Sequence, residues 1–272
     1  MKLSKTLLAL ALAGMAVSAH AHRPWLLPSS SVVDARENWV TIDAAISEGL
    51  FDIDHVPLKL DGIVVTGPDG ANVELQNAST GKLRSTFDVK MAVPGTYKIA
   101  LVSKNVSGSY KVGTEVKRFR GTEETLAKDV PANAEDVKLT RTMSRLETFV
   151  SAKTLDEAVF KPTGVGLELV PVTHPNDLIA GQKATWRFLL NGKPAANQAF
   201  SLIPGGVRYR GTLGEIRQST DAKGEITFKL PDAGMYMVST SWSDAPPAVA
   251  GQPPQMAKNR ASYAATVEIL PE

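Results

Sequence analysis

The chain has no cysteine among its 272 residues. That absence excludes disulfides, thiolate metal sites, cysteine nucleophiles and lipoprotein attachment. Apolar runs of membrane-spanning length are missing too. The longest, "LLALALAGMAV" at residues 7–17, falls well short of the ~20 residues a bilayer requires. Enzyme signatures are equally scarce: there is no G-x-S-x-G elbow, no H-E-x-x-H and no glycine-rich phosphate loop after a strand. No catalytic activity is expected. Only four histidines occur, His20, His22, His55 and His174, so each is worth weighing separately.

What is present starts at the first residues. Lys2 and Lys5 precede the apolar run, and Ala19-His20-Ala21 closes it with small residues at −3 and −1. Charge, grease and small-x-small in that order read as a secretory signal peptide over residues 1–21. An exported chain without disulfides fits a bacterial periplasm, where its core alone must stabilise it. Loss of Lys2 and Lys5 from the 30 basic residues leaves 28 against 28 acidic ones. A balanced surface carries no electrostatic footprint for nucleic acid.

The remainder reads as β. "VTIDAAIS" puts Val40, Ile42, Ala44 and Ile46 on one face, and "FDVKMAV" does the same with Phe87, Val89, Met91 and Val93. "EITFKL" repeats the alternation with Ile226, Phe228 and Leu230. Period-two patterning marks strands with one face on a core. Both halves share a further plan: a strand, a proline, a glycine, one residue, a tyrosine and a new strand, as in "VKMAVPGTYKIALV" and "EITFKLPDAGMYMV". Two tandem immunoglobulin-like β-sandwiches are expected, over residues 22–160 and 161–272, with "FKPTGVG" (160–166) as the hinge. Residues 121–138 are polar, lack alternation and read as a long loop. "SDAPPAVAGQPPQMAKN" reads as an extended proline-rich loop before the last strand.

Cleavage after Ala21 would make His22 the first residue, with its α-amine and imidazole together on one residue. Such a pair chelates Cu(II) or Ni(II), which favour nitrogen donors. Cleavage after Ala19 would instead give His-Ala-His, in which amine, amide nitrogens and the third-position imidazole form a square plane. The first cut forbids that plane, because Pro24 in third place has no N–H to ionise. Either terminus can hold a late transition metal. His55 follows Asp52 and Asp54 in "GLFDIDHVPLKL". All three can ligate together only if this stretch is a loop, which Pro57 favours, since successive strand side chains point to opposite faces. His174, in "VTHPNDL", reads as turn chemistry, with room for a contact to the first module. Trp25 would pin the new amino end by burying a large aromatic surface.

Several stretches together, "AHAHRPWLLPS", "GLFDIDHVPLKLDGIVVTGPDG", "LELVPVTHPNDLIAGQKATWRFLLNGKP" and "TDAKGEITFKLPDAGMYMVSTSW", resemble the NikM-like periplasmic family, described as a periplasmic component of cobalt/nickel uptake. The resemblance implies a soluble periplasmic β protein tied to transition-metal import. It implies His22 and His55 as ligands with Asp52 and Asp54 as helpers, nickel, cobalt or copper as the ion, and a membrane transporter or outer-membrane receptor as partner. Membrane-embedded members carry several transmembrane helices, which this chain lacks, so a metal binder feeding a transporter is what carries over. Two rivals remain: a docking module that binds no metal, and a copper-dependent oxidase built on an amino-terminal histidine brace.

Overall fold

The computed structural model describes residues 22–34, 38–246 and 255–272. The signal peptide expected over 1–21 and the middle of the proline-rich loop lie outside the described residues. Among those described, no helix is long and apolar enough to cross a membrane.

The chain is all-β, and its strands form three sheets. The first has five strands, ordered β1 (Arg23–Pro28), β3 (Trp39–Ser47), β8 (Ser85–Lys90) and β7 (Gln76–Thr80), with β4 (Val56–Pro57) also on β3. The second has ten strands. Its path runs β16 (Ile216–Ser219), β15 (Ala199–Pro204), β18 (Gly234–Ser243), β19 (Asn259–Ile269), β11 (Glu135–Ala152), β9 (Gly95–Val112), β5 (Ile63–Thr66) and β6 (Asn72–Val73). Here β10 (Glu115–Gly121) adds to β9, and β2 (Val32–Val33) to β11. The third has four strands: β12 (Leu167–Pro171), β13 (Lys183–Leu190) and β14 (Lys193–Pro194) in order, with β17 (Glu225–Lys229) on β13.

The ten-stranded sheet is the middle layer of the molecule. On one face Leu146, Val150 and Ala152 of β11 meet Val40, Ile42, Phe87 and Val89 of the five-stranded sheet. On the other, Phe149 of β11 and Tyr263, Ala265 and Val267 of β19 meet Trp186, Phe188 and Phe228 of the four-stranded sheet. Two sandwiches therefore share one sheet through a parallel pairing of β11 with β19, from Arg141↔Asn259 to Thr148↔Thr266. This explains why "TRTMSRLETFVSAK" shows no clean alternation. Residues 145–152 are buried without a break, because a strand covered on both faces has no side to leave polar.

Each sandwich carries a tyrosine corner, a mark of immunoglobulin-like Greek-key sandwiches. The Tyr97 hydroxyl donates to the Val93 carbonyl at 2.8 Å, and the Tyr236 hydroxyl donates to the Asp232 carbonyl at 2.7 Å. The glycine two residues before each tyrosine is required for its backbone: Gly95 has φ 134° and Gly234 φ 150°, a region L side chains avoid. The repeated Pro, Gly, x, Tyr pattern thus encodes the same corner twice.

Two expectations are corrected. Residues 121–138 are no plain loop: they contain helix α1 (Glu123–Asp129) and the first residues of β11. Thr122 caps the helix, exchanging hydrogen bonds with Thr125 in a capping box, which supplies partners for amides the first turn leaves open. None of its side chains is buried, so it has no apolar stripe for periodicity to reveal. The 160–166 connection, expected as a hinge, is tied down. Arg145 bonds Thr163 Oγ1, the Val165 carbonyl and the Leu167 carbonyl, while Glu168 accepts from the Thr163 and Gly164 amides. Short helix α2 (Val207–Arg210) follows β15.

Candidate functional site

The site grows from the pairing of β1, β3 and β4. Arg23 pairs with Ser47 and Trp25 with Ala45 across one edge of β3, while Val56 pairs with Ile46 across the other. His22 and His55 each stand one residue before those ladders begin, at the same end of this patch. Trp25 fixes the amino end: it is fully buried, and its indole N–H donates to Ser47 Oγ at 2.7 Å. Burying such a side chain stabilises by about 4–6 kcal/mol on area alone. Ser47 Oγ passes the bond on to the Gly49 carbonyl, so anchor and loop form one connected unit.

The segment from Glu48 to His55 is a loop, as the ligand reading required. Asp54 closes it, accepting from the Glu48 and Gly49 amides at 3.1 Å each. Leu50 and Phe51 seat it on the far sandwich, in a small core with Trp25, Ile203 and Met237. The Phe51 ring lies edge-on to Trp25 and passes so near Gly205 that a Cβ there would come within 2.7 Å of it. Asp52 faces Arg208 at 3.8 Å. The His55 loop is held by both modules.

These restraints bring the two predicted histidines into contact. The His22 and His55 rings stack with centroids 3.9 Å apart and planes 5° from parallel. The His22 side chain is 43% exposed, and its Nε2 lies 3.4 Å from Glu48 Oε1. Stacked planes direct ring lone pairs side by side instead of toward one point, so joint ligation requires a turn about a ring torsion, which is broad for sp³–sp² bonds. The two predicted carboxylates are occupied elsewhere, Asp54 on backbone amides and Asp52 near Arg208. Among the described residues, no three His, Cys, Asp or Glu side chains converge as a metal site. Glu48, which sequence reasoning did not name, is the carboxylate nearest in kind to what the pair needs. Its only signal is its place at the end of β3, legible once β1 is known to pair there.

His174 is a different kind of histidine. Its Nδ1 accepts from the Asn176 amide at 3.1 Å, and its Nε2 lies 3.1 Å from both the Asp156 carbonyl and Thr96 Oγ1. With Nδ1 accepting, Nε2 carries the proton. Phe160 covers one side of the ring. Burial holds its pKa below the ordinary histidine value, against the opposing pull of the Asp156 carbonyl and nearby carboxylates. Thr96, Ser151 and Asn176 continue the network, so the expected contact with the first module exists through Thr96.

Beside His22 opens a groove of about 680 Å³ along the uncovered part of the ten-stranded sheet. Serines on β15, β18, β19, β11 and β9 form its floor, and His22 and Arg23 stand at its lip.

The chain matches a protein family described as "Domain of unknown function (DUF4198)" over residues 19–244. It belongs to that family. The DUF4198 match spans both histidines of the stacked pair, the first sandwich and the second up to β18. No curated protein matches the chain. Among solved structures, the D0-D1 domain of Intimin aligns over 90% of this chain and 97% of its own at 14% identity, with a TM-score of 0.23, an overlap too poor to argue from.

Proposed function

We propose that the exported, processed chain binds one divalent transition-metal ion, nickel, cobalt or copper, as cargo. In this reading it is a periplasmic accessory of metal uptake that presents the ion to a membrane transporter or outer-membrane receptor. The observation that carries it is the contact between the His22 and His55 rings. Two imidazoles meet at the residue that cleavage after Ala21 would make the amino terminus. The freed amine is a third nitrogen on the same small patch, and Glu48 lies close enough to His22 to supply an oxygen. A set of this composition suits late divalent ions, and the anchoring of Trp25 and Phe51 keeps the donors together before an ion arrives. The likeness to NikM-like proteins supports the same cargo.

Calorimetric titration of the chain beginning at His22 with nickel, cobalt, copper and zinc tests this. Binding at micromolar affinity or tighter, lost in the His22→Ala, His55→Ala double variant, is expected. Equal affinity in both proteins would favour the second reading, a docking module without metal. The oxidase reading predicts oxidised glycan products from the copper-loaded chain with a reductant.

A further inference from the structure

The groove beside His22 has a composition that selects its ligand. In one row Ser241, Ser262, Ser144 and Ser103 lie opposite one another across β18, β19, β11 and β9. A second row starts with Ser201 and Ser239 and continues through Ala264 and Leu146. Small side chains in register leave a flat floor of hydroxyls, and the Ser262 hydroxyl already donates to Ser144 at 3.0 Å. The opposite side chains of the same strands, such as Val238 and Tyr263, are in the core, so the floor is rigid.

Charge is one-sided. Among the described residues no aspartate or glutamate lines the groove itself, whereas Arg23, Arg120 and Arg145 do. Arg145 is already engaged by Glu147 and Glu168. Glu215, which accepts from Ser201, is paired with Arg217. Among the described residues neither Arg23 nor Arg120 has a carboxylate within salt-bridge distance, although Arg23 lies near enough to Glu215 to help hold its pKa down. Two guanidiniums without a salt bridge across a bed of hydroxyls, Arg120 free of any carboxylate partner among the described residues and Arg23 only within the field of Glu215, match a carboxylate-bearing ligand with hydroxyls of its own, since guanidinium binds carboxylate by charge-assisted hydrogen bonds. The volume lies within the roughly 300–1,000 Å³ usual for small-molecule sites.

We infer that this groove binds a small hydroxycarboxylate anion between Arg23 and Arg120, next to the stacked histidines. Such anions chelate divalent metals through their carboxylate and hydroxyl oxygens. Resting on the proposed metal reading, the inference adds that the ion arrives as such a chelate, its remaining positions completed by His22 and His55.

Citrate is the probe, titrated by calorimetry into the chain beginning at His22, first without metal and then with nickel. Saturable citrate binding without metal is expected. The Arg23→Gln, Arg120→Gln double variant should weaken it at least tenfold while leaving nickel affinity unchanged. Ser262→Trp, which fills the floor, should abolish it; circular dichroism checks that each variant folds. His22→Ala should spare citrate alone and weaken the nickel–citrate complex. Absence of saturable binding at millimolar citrate would overturn the inference, as would unchanged affinity in the arginine variant. Binding of neutral cellotetraose in place of citrate would overturn it in favour of a glycan. Citrate binding without any nickel binding would remove the metal reading and leave the groove's anion specificity standing.

Discussion

Two histidine neighbourhoods in this chain could hardly differ more. His174 is enclosed: both ring nitrogens have partners, one tautomer is fixed and Phe160 closes over the ring. His22 and His55 are exposed and touch each other, and among the described residues Glu48 is the one carboxylate within 4 Å of a nitrogen of either ring. The first arrangement uses up a histidine's capacity to bond; the second keeps it in reserve. A histidine that serves the fold is recognised by having nothing left to offer, and a candidate ligand by being held in place through everything except its ring.

The contrast breaks most severely through the anchor beneath the open pair. Trp25→Ala should cost about 3–5 kcal/mol, measured by denaturant unfolding, and should weaken nickel binding because the amino end is no longer pinned. If Trp25→Ala binds nickel like wild type, preorganisation plays no part. His174→Ala should cost about 1–3 kcal/mol, since it leaves Asn176, Thr96 and the Asp156 carbonyl short of a partner in a buried setting. Its nickel affinity should match wild type; a loss there would erase the distinction between the two neighbourhoods.

The enclosed histidine also predicts a pH effect with a definite sign. Burial depresses the His174 pKa in the folded chain, so as pH falls the unfolded chain takes up this proton first. Stability is then intact above the ordinary value of about 6.5 and declines below it. Urea unfolding at about pH 7 and about pH 5 should show a larger loss for wild type than for His174→Gln. An equal loss would show that His174 is not the group responsible. The smallest effect belongs to Glu48→Gln, whose exposed partner contributes under about 0.5 kcal/mol to stability. Its nickel affinity should fall only a few-fold, and a collapse would promote Glu48 from neighbour to principal ligand.

The sequence carries the strands and corners openly, because alternation and the Pro, Gly, x, Tyr pattern are local. The shared sheet left no such trace. Its central pairing joins Arg141 to Asn259, far apart in the chain, and burial on both faces of β11 erased the alternation that marks its neighbours. At the site, the contact between His22 and His55 was anticipated from their chemistry and from the anchor beside them. The orientation of Asp52 and Asp54 was not, since it depends on how the loop closes: Asp54 caps two amides and Asp52 turns to Arg208 on the other module. The serine floor takes Ser239 and Ser241 from β18 at period two, a local spacing that carries no signal of a site by itself. Its partners across the sheet were hidden by the same non-local pairing.

The most direct measurement is a crystal structure of the chain beginning at His22, soaked in nickel, with an anomalous-difference map at the nickel edge. The account predicts one strong peak within bonding distance, roughly 2.0–2.2 Å, of the His22 amine, the His22 ring and the His55 ring, with the stack opened. Rings still stacked, with no peak between them or with nickel held elsewhere, would contradict it.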